Sequence, residues 1–66
     1  MAVAKVSEIT AESNVSFEDA IQQGIERASK TLRGIQGAWV KEQKVRVENG
    51  KVTSYRVDMK VTFVLD

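Results

Sequence analysis

Trp39, Glu42, Lys44 and Arg56 are the side chains best suited to hold a ligand, and they offer binding rather than bond-making. Trp39 supplies an aromatic plane for stacking, or an anchor at a protein interface. Arg56 supplies a planar fork of donors for an anion or a carbonyl. It could equally form an ion pair with Asp58, Glu42 or Glu48, a contact worth little when exposed. Glu42 and Lys44 could act as charge partners across strands. The means of catalysis are missing. The chain has no histidine or cysteine, no Ser-x-x-Lys pattern and no Gly-rich phosphate loop. The adjacent carboxylates Glu18 and Asp19 read as charges at a helix N-terminus. The expectation is a binding protein, not an enzyme.

These residues fall on a predicted hairpin. Asn49-Gly50 supplies two residues that tolerate positive φ, as a two-residue type I′ turn requires. After it, Thr53, Tyr55, Val57, Met59, Val61, Phe63 and Leu65 alternate with Ser54, Arg56, Asp58, Lys60, Thr62 and Val64. That period of two predicts a long strand with one apolar face. A preceding strand runs over roughly 38–48. Counting back from the turn pairs Val47 with Val52, Lys44 with Tyr55 and Val40 with Met59. Val40 and Val45 are then out of phase. A β-bulge near Gln43 would put both on the helix side. Without it, Trp39, Val45, Val47 and Val64 share the opposite face with charges.

Upstream, Val3, Val6 and Ile9 suggest a strand over about 2–10, and residues 11–15 a polar connection. Ser16 is placed to cap the amide of Asp19, with Val15 and Ala20 at staple positions. Phe17, Ala20, Ile21, Ile25, Ala28 and Leu32 form one helical stripe. Glu18 and Asp19 near its start and Lys30 and Arg33 near its end suit the dipole. Gly34 is expected as the left-handed residue closing the helix, with Ile35 as its apolar contact. The fold class is therefore α+β, a three-stranded antiparallel sheet wrapped around one helix in the order β-α-β-β, as a single domain over 1–66.

At 66 residues the core is thin, and without cysteine no disulfide can supplement it. Self-association into a homo-oligomer is the expected source of stability. A net charge of +1 predicts neither a nucleic-acid nor a membrane partner. No apolar run is long enough to span a bilayer, and the start lacks the layout of a secretory signal, so a cytoplasmic location is expected.

Over nearly its whole length the chain resembles the dodecin family. The resemblance rests on Lys5-Val6 and Ile9, Ser16-Phe17 with Ala20-Ile21, and the run Ile25 to Leu32. It continues through Val40-Lys41-Glu42 and the run Tyr55 to Leu65. It implies a long curved hairpin around the helix and a hollow homododecamer that stores a small ligand between subunits. The family's ligand is a flavin, whether riboflavin, FMN or FAD, stacked between tryptophans and hydrogen-bonded by a glutamine.

This sequence departs from that pattern. The family tryptophan falls on Gly37, and the family glutamine on Arg56. The loop after the first strand reads Ala11-Glu12-Ser13. Glycine removes the stacking plane, and arginine replaces a donor–acceptor pair with donors alone. Trp39, two residues on and on the same face of a regular strand, could supply a shifted plate. Glu42 matches a position where the family often places a carboxylate near the flavin's ribityl chain, and Lys44 lies near it, so the resemblance implies that both could hydrogen-bond a polar tail. The branch lacking the tryptophan, which includes calcium dodecin, is similar at Val40-Lys41-Glu42-Gln43 and Tyr55-Arg56. Calcium takes about six to eight oxygens. One chain offers no such cluster, although Asp58, Glu8 and Glu12 could contribute if copies brought them together. The candidate ligand site is thus Gly37, Trp39, Glu42, Lys44 and Arg56, with metal ligands unassigned. A hollow assembly without a ligand, glued by Trp39 and Arg56, is the remaining alternative.

Overall fold

The computed structural model describes residues 3–65, so Met1, Asp66 and Ala2, which was expected in the first strand, lie outside it. The order is β1 (Val3–Ser13), α1 (Phe17–Ala28), β2 (Ile35–Glu48) and β3 (Lys51–Leu65). The strands form one antiparallel sheet in the order β1-β3-β2. Asn49 (φ 52°) and Gly50 (φ 76°) form the hairpin turn with the expected positive φ at both positions.

The alternation in β3 decides the core. Val57, Met59, Val61 and Phe63 are buried, while Arg56, Asp58, Lys60 and Thr62 on the other face are half-buried. Ala20 of α1 packs with Val57 and Met59, and Ile9, Ala11, Phe17 and Ile21 close around them. Phe17 meets Tyr55 edge-on, with ring centroids 5.1 Å apart. The helix lies close because residue 24 is glycine. A Cβ there would stand 2.7 Å from Met59 Cε and 3.0 Å from Ala11 Cβ.

Ser16 caps the helix as expected, its hydroxyl accepting from the Asp19 amide at 3.0 Å. The first strand extends further than its apolar residues suggest. Ala11, Glu12 and Ser13 are not a polar connection but pair with Val57, Arg56 and Tyr55. Ser13 is buried, donates to Asp19 Oδ2 at 2.6 Å and accepts from the Val15 amide at 2.9 Å. The strand end is thereby tied to the first turn of the helix.

The helix also ends sooner than its apolar stripe. Ser29 Oγ bonds the Ile25 carbonyl at 2.8 Å, and Thr31 Oγ1 bonds that of Ala28, side-chain bonds that compete with helix continuation. Gly34 does adopt φ 71°, but as the residue leading into β2 and not as the helix cap. Its carbonyl accepts from the Val64 amide at 3.0 Å.

The expected parity repair in β2 is present, but at Lys41 rather than Gln43. Between the pairs Val40–Met59 and Glu42–Asp58, β2 has one extra residue. A second irregularity leaves Thr53 extra on β3, between Arg46–Ser54 and Val47–Val52. The partner of Tyr55 is therefore Val45, and Lys44 lies opposite Arg56, correcting the count from the turn. Val40 and Val45 both come to the helix side. The helix, however, packs on β1 and β3 and leaves β2 uncovered.

Candidate functional site

The helix-distal face of the sheet is a set of rows running from β1 through β3 to β2. Glu12, Arg56 and Lys44 form one row, Thr10, Asp58 and Glu42 the next, and Glu8, Lys60 and Trp39 the third. Gly37, opposite Thr62, lies in the row beyond. All five expected site residues are thus on one face. They do not converge within one chain. Trp39 is four β3 positions from Arg56, roughly 13 Å at about 3.3 Å per residue.

At one end, Trp39 is 50% exposed. The Lys60 ammonium lies 5.9 Å from its ring centroid, a cation–π contact worth about 0.5–1 kcal/mol at an exposed site. A Cβ built on Gly37 would meet no heavy atom within 4 Å, so the sheet is open beside the indole. Gly37 and Trp39 share the distal face because no bulge separates the pairs Gly37–Thr62 and Trp39–Lys60.

At the other end, Lys44 and Arg56 line a cavity of about 260 Å³ together with Glu12, Val45, Arg46 and Ser54. Ser54 Oγ donates to Glu12 Oε1 at 3.0 Å. Among the described residues Arg56 forms no ion pair with Asp58, Glu42 or Glu48. The ion pair found among the described residues is Lys41–Glu8 at 3.5 Å, which reaches across β3 from the bulge to the row of Trp39. Between the two ends, Glu42 and Asp58 set two carboxylates directly opposite each other, and Thr10 Oγ1 donates to Asp58 Oδ1 at 3.0 Å. No group of three or more Asp or Glu side chains able to hold a metal occurs among the described residues.

Residue types alone did not single out Ser54, Arg46 or Lys60. The alternation after Asn49-Gly50 puts Ser54 and Lys60 on the same face as Arg56, which was the available signal. Glu12 joins them only through the long-range β1–β3 register.

The dodecin family profile matches residues 3–66. The chain belongs to the dodecin family. Among solved structures, the dodecin of Streptomyces davaonensis is 34% identical, with a TM-score of 0.92 over 98% of this chain and 96% of that one. A point variant of the Thermus thermophilus dodecin is 35% identical, with a TM-score of 0.94 over 100% and 98%. The calcium-chelating antigen calcium dodecin of Mycobacterium tuberculosis, solved with a novel calcium-binding site, is 34% identical. Its TM-score is 0.82 over 97% and 91%. No curated protein sequence matches the chain. The matches fit the β-α-β-β order and the antiparallel sheet. No described helix is long and apolar enough to cross a membrane.

Proposed function

We propose that this dodecin is a homo-oligomeric binding and storage protein, a dodecamer that holds a small planar ligand of the flavin class between subunits. Trp39 replaces the family's stacking residue as the plate. The observation that carries this reading is the half-exposed indole of Trp39 beside the open sheet at Gly37. An aromatic ring laid there would cover apolar surface otherwise left in water. Glu42, Lys44 and Arg56 supply hydrogen-bonding groups on the same face, so a ligand seated between copies would meet donors and an acceptor as well as the ring. Assembly is supported by the small core and by the exposure of Val40, Val45, Val47 and Val52 on the hairpin.

Titration of the purified oligomer with riboflavin and FMN, followed by tryptophan fluorescence, tests the proposal. The expected result is saturable quenching at a fixed stoichiometry, abolished in Trp39→Ala. Absence of quenching with the oligomer intact would refute the flavin reading.

One observation favours a second reading. Glu42 and Asp58 are directly opposed carboxylates, an arrangement that costs energy unless a cation offsets it. If copies bring further oxygens to this pair, a divalent cation such as calcium becomes the ligand. That reading requires a calcium-dependent rise in thermal stability, reversed by chelation.

A further inference from the structure

A second cavity, of about 510 Å³, lies on the other side of the sheet, between β1 and α1. Its volume falls in the range of about 300–1,000 Å³ typical of ligand clefts. The topology produces it. Ser13 meets Asp19, and Gly24 stands level with Ala11 and Ile9, so the helix runs back along β1 toward Ser7. β1 is an edge strand, with no neighbour within the chain to close the groove on that side. The floor is apolar. Ile9, Ala11 and Leu32 are half-buried there, and Ala28 is buried.

The rim carries unmatched polar groups. Arg27 forms no ion pair among the described residues. Neither its guanidinium nor the half-buried Ser7 hydroxyl takes part in the side-chain hydrogen bonds found among them. Glu12 is the one carboxylate on the wall. It lies five residues along β1 from Ser7, roughly 17 Å at about 3.3 Å per residue. Its Oε1 accepts from Ser54, on the opposite face of the sheet. The groove thus joins an apolar floor to a free cation and a free hydroxyl.

We infer that this groove binds a monocarboxylate with a short apolar body, its carboxylate held by the Arg27 guanidinium and the Ser7 hydroxyl. Arginine's planar fork matches a carboxylate through two parallel hydrogen bonds. The apolar body covers the floor and removes it from water. The site lies on the face of the sheet away from Trp39 and does not depend on the flavin reading.

The test is calorimetric titration of the intact oligomer with octanoate and with octanol in low-salt buffer. Octanoate is expected to bind about tenfold or more tightly than octanol, a preference that weakens as salt rises. Arg27 is exposed, so Arg27→Gln should leave fold and assembly intact. That variant should bind octanoate about tenfold more weakly and octanol as before. Ser7→Leu, which fills the groove, should weaken both probes. Equal affinity for octanoate and octanol, or octanoate affinity unchanged in Arg27→Gln, would overturn the inference. Binding of neither probe would overturn it as well and assign the groove to another copy of the chain.

Discussion

β3 and β2 are joined by a two-residue turn and are nearly equal in length, at 15 and 14 residues, yet their surroundings are opposite. β3 is the central strand, with a neighbour on each side and the helix over its apolar face. Its odd-numbered residues from Val57 to Phe63 are buried. β2 is an edge strand outside the helix's cover, exposed along its length except for half-buried Ile35. Val45 is 41% exposed although it shares the helix-side face with Tyr55, which packs on Phe17. An apolar residue on the right face is therefore not necessarily in the core. Its position relative to the single helix decides. β3 folds the chain, and β2 is left to meet something else, in keeping with the chain's membership of the dodecin family.

Breaking the covered half should have the largest effect. Met59 is fully buried against Ala20 and Val57, so Met59→Ala should cost about 2–5 kcal/mol in chemical denaturation. Val45→Ala should cost far less if β2 faces water, and an amount close to a core substitution if another copy covers it. That pair of variants therefore measures whether β2 is completed by assembly. Ser13→Ala should come next. It removes a donor to Asp19 and an acceptor for the Val15 amide in a buried position, and should cost about 1–3 kcal/mol in the same assay. The smallest effect is expected for Lys41→Ala. Its ion pair with Glu8 is 48% exposed at both side chains, so the loss should stay within about 1 kcal/mol and shrink with added salt.

Much of the covered half was legible in the sequence. The alternation from Tyr55 to Leu65, the Asn49-Gly50 turn and the Ser16 cap are local signals, and each element formed where its signal lay. The need for a bulge was legible too, because Val40 and Val45 cannot share a face without one. Its position was not. Compensating extra residues at Thr53 and Lys41 leave Val47–Val52 and Val40–Met59 paired as counted from the turn. The pairs between them shift, moving Tyr55 from Lys44 to Val45, and an extra Gln36 shifts the register again at the start of β2. Ser13 was hidden because its role depends on Asp19 and the Val15 amide, and nothing in a serine's neighbours in sequence reveals that it is buried. Gly24 sits on the helix stripe without an apolar side chain, so a pattern of hydrophobic residues passes over it.

The candidate site was legible as residue types on one face, and less so as a cluster. Trp39 with Gly37 and Lys44 with Arg56 form two separate ends of the distal face. The cavity at the second end is defined by Glu12, which the sequence places more than forty residues away from Arg56.

In the proposed assembly, further copies of the chain complete β2 and the distal face. Sedimentation of the purified protein at low micromolar concentration tests it most directly. One discrete species with the mass of a closed dodecamer is expected. A folded monomer under those conditions would contradict it.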